Sequence, residues 1–292
     1  RFIWREKNQG ANTAPESLAP MTFSWQVPKK NTEIEKFSFS SSKIGLQNLS
    51  LFALNLPLPS RIRQIIEQSE PRGELNDVSI TWSENKSTIP LVGGLISGQG
   101  PKFDVSGKLN NVSVKRYQDI VPGITNLTGK ILANQDQGNF DLNSKNLQLV
   151  IDGFLADPKM NFDTVKGKVN WSLKNKQWLI GLDDLAVANK DLALNTKGSY
   201  LIGKEKNPDS MDLAIQFDRA EIQTIFRYLP SEMSKDARSY IEKAVVGGQI
   251  KNGSLKIKGD PNKAPFETPN SGELTLTLPI TKVVYRPAPL FP

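Results

Sequence analysis

The chain contains no histidine and no cysteine in 292 residues. A zinc site of the usual Cys/His kind therefore cannot be assembled. A Ser-His-Asp triad and a Cys nucleophile are excluded as well. There is no disulfide framework and no thiol redox motif. Acid–base chemistry would have to rest on Asp, Glu, Lys or Tyr. Long apolar runs are also missing, since none approaches the roughly 18–20 residues of a membrane helix. No signal-peptide pattern opens the chain. Lack of Cys suits an oxidising envelope space but leaves a reduced cytosol open.

What is present is modest apolar content, 38%, with 21 Gly and 19 Pro. That composition implies many turns and one or two ordinary domains. Arg1 at the start and the loop-like RPAPLFP at the end read as an internal piece of a longer chain. Net charge is +7, from 37 basic against 30 acidic residues. The excess is spread along the chain with no dense Lys/Arg run, so no nucleic-acid partner is expected. A solvated outer face accounts for it, and attraction to anionic headgroups is a second reading.

Alternation with a period of two recurs along most of the chain and predicts strands with one buried face. The apolar sets are Val78, Ile80 and Trp82; Val112 and Val114; Leu147, Leu149 and Ile151; Val169, Trp171 and Leu173. They continue with Met211, Leu213, Ile215 and Phe217; Leu255 and Ile257; Leu274, Leu276 and Leu278. Ser, Thr, Asn and Lys fill the positions between, so the sheet should be antiparallel and one-sided. Gly73–Ile80 and Gly107–Val114 resemble each other, Gly248–Leu255 is a looser copy, and each is read as a strand leaving a turn. Repetition of one unit favours an extended sheet.

Two helical stretches are expected. Ser60 caps Arg61–Gln68, with Ile62, Ile65 and Ile66 on one face and Pro71 with Gly73 closing it. Ala220–Gly247 forms the second, broken at Pro230, with Ser234 capping its latter half and Gly247-Gly248 ending it. Both should cover a sheet edge.

An ordered string of motifs follows from Phe226. It runs through Tyr228-Leu-Pro230, then Arg238-Ser-Tyr240-Ile-Glu-Lys-Ala244, then Gly248-Gln-Ile250-Lys-Asn-Gly253-Ser-Leu255-Lys-Ile257-Lys-Gly259. Pro265-Phe266, Gly272-Glu-Leu274 and Tyr285-Arg-Pro287 complete it. Upstream, Leu56-Pro-Leu-Pro59, Pro71-Arg-Gly73-Glu-Leu75 and Pro122-Gly-Ile-Thr-Asn-Leu-Thr-Gly129 fit the same series. This order, across about positions 45 to 290, resembles the large AsmA-like proteins of the Gram-negative envelope, of the YhdP type.

The resemblance implies a repeating β-groove with an apolar floor, in a periplasmic body anchored to the inner membrane by a helix outside this chain. It implies help in moving phospholipid between inner and outer membranes. The partners implied are phospholipid acyl chains, the inner membrane and envelope proteins.

The expected fold is thus mainly β: an elongated, curled antiparallel sheet, a repeating β-groove or trough, with a few short covering helices. Its divisions are strands in 1–55, a helix in 56–72, repeated strands in 73–218, a helical insertion in 219–248 and strands in 249–292. The lipid-groove candidates are Val78, Ile80, Trp82, Val112, Val114, Leu147, Leu149, Val169, Trp171, Leu173, Leu213, Ile215, Phe217, Leu255, Ile257, Leu274, Leu276 and Leu278. No cofactor, metal or catalytic residue is expected.

Other classes meet the same residues. A β-sandwich or envelope-assembly scaffold without lipid would bury the alternating positions against a second sheet. An adhesin would need a ligand loop, and a membrane barrel would need aromatic girdles where Lys256 and Lys258 stand. Asp183-Asp184 and Glu232/Asp236 are the acidic groupings that invite an enzymatic reading, and a turn explains the first pair. Gly93–Gly100 lacks the Gly-Lys-Ser/Thr ending of a phosphate loop and reads as a strand connection. Asn-x-Ser/Thr triplets at Asn48, Asn85, Asn111, Asn126 and Asn252 carry no implication of glycosylation.

Overall fold

The computed structural model describes residues 20–26, 34–55, 60–85, 102–118, 121–153, 155–204, 208–228, 231, 245–263, 266 and 268–285. Strands β1 (Met21–Gln26), β2 (Ile34–Gly45), β3 (Arg72–Asn85) and β4 (Lys102–Val114) come first. β5 (Gly123–Asn134), β6 (Gln137–Val150), β7 (Lys159–Lys174) and β8 (Gln177–Ala188) follow. β9 (Leu192–Leu201), β10 (Ser210–Glu221), β11 (Val245–Gly259), β12 (Gly272–Thr277) and β13 (Ile280–Tyr285) complete the sheet. Every strand pairs antiparallel with its neighbour in sequence from β1 to β12, so the topology is a single meander. β12 and β13 both pair with β11, along successive stretches of it. Together they form one edge broken at Leu278-Pro279, a place where proline's missing donor costs no ladder bond.

The antiparallel sheet with few helices is the architecture expected. The curl is not: the thirteen strands form one uncurled sheet, and β1 and β12 end it on opposite sides. Closing the sheet into a barrel would require edge strands to pair, and among the described residues β1 pairs with β2 alone and β12 with β11 alone. Among the described residues no second sheet lies against it.

Paired residues in an antiparallel ladder share a face, so the registers can be followed sideways. Phe23, Phe39, Ile80, Val105, Ala133, Gly138, Trp171, Ile180, Tyr200, Met211, Gly259 and Gly272 form one unbroken row across twelve strands. One residue along, Thr22, Ser40, Ser79, Ser106, Leu132, Asn139, Asn170, Gly181, Ser199, Asp212, Lys258 and Glu273 form the next row. The pleat sends the two rows to opposite faces. Along these two rows one face is apolar and the other polar, with Leu132 the exception in the second, and Leu179 and Leu201 also stand on the polar face. Ion pairs cross the polar face between strands: Lys108–Asp77 at 2.8 Å, Lys168–Asp141 at 3.4 Å, Lys197–Asp184 at 3.0 Å and Lys256–Glu273 at 3.4 Å. Such exposed pairs contribute at most ~1 kcal/mol each, and they help to fix register.

The repeats are not turns, as the sequence reading had them; they are bulges inside strands. The segments 73–80, 107–114 and 248–255 lie within β3, β4 and β11. In each, the residue four after the glycine takes a left-handed backbone: Asp77 (φ 49°), Asn111 (φ 49°) and Asn252 (φ 55°). Asn126, Asn146 and Asp184 do the same in β5, β6 and β8. Asn and Asp tolerate that conformation best among non-glycine residues. The local pattern is inward residue, outward residue, left-handed Asx, then inward residue again, as in Leu75-Asn76-Asp77-Val78. An extra residue leaves backbone groups outside the ladder, and neighbouring side chains satisfy them. Asn111 N–H donates to Thr128 Oγ1 at 3.0 Å, and Asn126 N–H donates to Ser113 Oγ at 3.1 Å. Buried Ser144 accepts from Thr128 N–H at 2.8 Å and donates to Thr128 O at 3.0 Å. Two of the Asn-x-Ser/Thr triplets therefore form a reciprocal latch between β4 and β5. Asp183-Asp184 likewise belongs to a bulge within β8, not to a turn at a strand end.

The α-helices and the 3-10 helix at Ile222–Tyr228 gather on one long side of the sheet, and a one-turn 3-10 helix at Pro261–Lys263 lies on the other. α1 (Leu46–Leu54) and α2 (Ser60–Ser69) join β2 to β3. α2 begins at the expected Ser60, whereas α1 falls where strands were expected. Leu49 of α1 packs on the cluster of Phe39, Ile44 and Val78. Of the second helical stretch the described residues show the two ends: β10 runs to Glu221, a 3-10 helix covers Ile222–Tyr228, and Gly247-Gly248 lie inside β11. Ser234, Tyr240 and Glu232/Asp236 lie outside the described residues, as does Gly93–Gly100.

Candidate functional site: the apolar face

The strand ends define two long edges. The helical edge carries α1, α2, the 222–228 turn and the 151–158 connection. The hairpin edge carries short returns, such as Gln135-Asp136 and Asn175-Lys176, the latter with both φ values positive (51° and 63°). Positive φ at both central residues is the hairpin geometry that matches strand twist.

All the groove candidates but Leu278 lie on the apolar face by register. Trp82 sits in the row Trp25, Phe37, Trp82, Phe103. Val169, Leu213, Ile257 and Leu274 belong to the row that also holds Ile131, Phe140 and Leu182. Ile215 pairs with Leu255, which pairs with Leu276. Phe217 pairs with Leu194, and Leu173 with Trp178. Val114 and Leu149 meet through Ile124. Leu147 pairs with Phe162, and Val112 with Leu127. Leu278 stands between β12 and β13 and packs on the cluster of Leu192, Ala220, Ile222 and Ile250.

Several residues of this face were not singled out from the sequence: Phe37, Phe39, Val105, Ile131, Phe140, Ile180 and Leu182. Some alternate with residues that are themselves apolar or glycine, as in Gln177–Leu182, which blurs the period. Glycines make room for rings on this face. A Cβ on Gly138 would sit 2.4 Å from Trp171 Cζ2, and one on Gly129 would sit 2.7 Å from Phe140 Cε1.

Burial is uneven across the width. Ile44, Val78, Val112, Leu147, Val165, Leu192 and Ile250 are buried. Toward the hairpin edge the residues are half-buried, and on the terminal strand β12 Leu276 is 55% exposed. An open hollow of about 250 Å³ lies among Trp171, Trp178, Ile180 and Ile202. Trp82 Nε1 is buried without a partner.

A polar clasp closes the helical edge near β8–β10. Arg227 donates from Nη1 to Asp191 Oδ2 at 2.8 Å and from Nη2 to Asp157 Oδ2 at 2.9 Å. Tyr228 donates its hydroxyl to Asp191 Oδ2 at 3.1 Å and accepts from Asn189 Nδ2 at 2.8 Å. The Asp157 carboxylate raises the Arg227 guanidinium further above its ordinary value, and burial raises the Tyr228 phenol. The clasp holds Ile222 and Ile225 over the buried cluster. Its residues are mutually engaged in ion pairs and hydrogen bonds, which reads as structural.

Among the described residues there is no group of three or more Asp, Glu, His or Cys suited to a metal, and no helix is long and apolar enough to cross a membrane. The geometry thus presents a long apolar surface backed by a polar one. A profile of the YhdP protein family matches residues 9–291.

The chain belongs to the YhdP family.

It is 19% identical over 287 residues to a protein of Escherichia coli strain K12 named as the intermembrane phospholipid transporter YhdP. The match covers 95% of this chain and 21% of that protein, so the chain spans about a fifth of the relative's length. No solved structure matches it.

Proposed function

We propose that the apolar face carries phospholipid acyl chains along the sheet, as one segment of a conduit between membranes. The observation that supports this reading is the unbroken apolar row from Phe23 to Gly272. Each CH₂ moved from water onto an apolar surface gains about 0.8 kcal/mol. A row continuous across twelve strands, spaced ~4.8 Å apart, offers a path of about 53 Å without an aqueous step. The polar face, crossed by ion pairs, keeps the other side in water. Passive movement along such a surface needs no catalytic residue and no cofactor. The E. coli relative's printed role agrees with this function. In the same reading the chain works in the periplasm, within a parent anchored to the inner membrane.

The test is transfer of a fluorescent phospholipid between two vesicle populations by the full chain. Ile215→Asp places a charge on the apolar face, and Gln216→Asp places one on the polar face. Transfer should fall sharply with the first and stay at the parental rate with the second. Equal rates for all three proteins would leave only a scaffold.

A further inference from the structure

Across its width the apolar face changes character. The tryptophans described, Trp25, Trp82, Trp171 and Trp178, all lie near strand ends on the hairpin edge. The aliphatic residues Ile44, Val78, Val112 and Leu147 are buried toward the helical edge. A Trp ring has an apolar body and one N–H donor, so it suits a boundary between apolar surface and water. The helical edge is partly roofed by α1 and by the 222–228 turn. The hairpin edge has the open hollow of Trp171, Trp178, Ile180 and Ile202.

That hollow is a fixed feature. The tight β7–β8 turn places Leu173 beside Trp178. Ile202 N–H donates to Trp178 O at 2.8 Å, and Gln177 Nε2 donates to Ile202 O at 3.4 Å. Gly138 leaves the space that the Trp171 ring occupies. Three lysines stand at these chain ends: Lys176 in the hairpin turn and Lys204 just after Ile202 adjoin the hollow, whereas Lys174 pairs with Gln177 on the polar side. Among the described residues none of the three is in an ion pair. Among the described residues two nearby carboxylates are engaged, Asp209 by the Tyr200 hydroxyl and Gly203 N–H, and Asp136 by the Gln135 amide.

We infer that a phospholipid on this face lies across the strands, with its acyl ends toward the helical edge and its headgroup at the hairpin edge. The glycerol region sits over Trp171 and Trp178, and an anionic headgroup meets Lys176 and Lys204. This rests on the reading that the face carries phospholipid, and it adds an orientation and a preference for negative charge.

The experiment uses the full chain with phosphatidylglycerol carrying a photoreactive diazirine, in one arm beside the glycerol and in the other at the acyl terminus. Labelled peptides are mapped by mass spectrometry. The glycerol-proximal probe should mark Trp171–Ile180 and Ile202, and the acyl-end probe should mark the half-buried Leu127, Leu149 and Phe162. A reversed or uniform pattern overturns the orientation. No labelling of the apolar face by either probe overturns the lipid reading itself. In a second arm, K176E/K204E should cut retention of phosphatidylglycerol at least about 30-fold relative to phosphatidylcholine, given roughly 1 kcal/mol for each of the two basic side chains near an anionic surface. An unchanged ratio overturns the headgroup site.

Discussion

Replacing Arg227 with Met would remove the centre of the clasp while keeping an apolar stem of similar length. Asp191 would then hold a carboxylate whose side chain is 4% exposed, with Tyr228 as its remaining side-chain donor at 3.1 Å. Breaking a buried ion pair from one side costs roughly 3–5 kcal/mol. Arg227 is 28% exposed and Asp157 32%, so water recovers part of that. About 2 kcal/mol of local destabilisation remains. The loss should fall on the 222–228 turn, because that turn is held by Arg227 and Tyr228 and by its packing on Leu192 and Ile250. Hydrogen exchange is the direct assay, since 2 kcal/mol corresponds to about a 30-fold loss of protection. Asp157 N–H, which donates to Arg227 O at 3.2 Å, should exchange faster with it. Adding Asp191→Asn should return most of the protection, because the orphaned charge is gone. Unchanged exchange in Arg227→Met would refute the claim that this clasp fixes the turn to the sheet.

Other outcomes follow from the same geometry. Asn111→Ala should destabilise by about 1 kcal/mol in urea unfolding, and Asn111→Gly much less, because φ is 49° there. Gly138→Ala should cost about 1–3 kcal/mol and change Trp fluorescence, because the added methyl forces the Trp171 ring to move. Trp82→Phe should be neutral or mildly stabilising in the same assay, since it deletes a buried donor without a partner. Burial and the hydrogen bond to Asp209 push the Tyr200 phenol up to about 12. A raised folded value means that this contribution is complete below the ordinary tyrosine value near ~10 and is lost as pH climbs through 12. A Tyr200→Phe protein should lack that part of the alkaline loss in a pH series of unfolding midpoints.

Much of the sheet could be read from the chain where the pleat runs without interruption. Met211 to Phe217 alternates cleanly, and β10 carries that alternation to both its neighbours. The bulges defeated the reading because they break parity. Leu75 and Val78 share a face although they are three apart, as do Leu109 and Val112. Gly and Asn also favour turns, so the Gly73, Gly107 and Gly248 repeats read as chain reversals when they lie within long strands. The left-handed backbone that a turn requires is the same one that a bulge requires. α1 escaped notice because Leu46–Leu54 has no acidic residue in its first turn and no basic residue in its last, and is apolar along much of its length. The Arg227 clasp joins residues 36 and 70 positions apart in sequence, and no local pattern marks such a meeting.

The central claim is that one face of this sheet holds acyl chains and the other does not. Site-specific photo-crosslinking tests it at paired positions, because Ile215 and Leu276 flank Leu255 on the apolar face while Gln216 and Thr277 flank Ser254 on the polar face. Phospholipid should be captured from Ile215 and Leu276 and not from Gln216 and Thr277. Capture from none of the four, or equally from all of them, would contradict it.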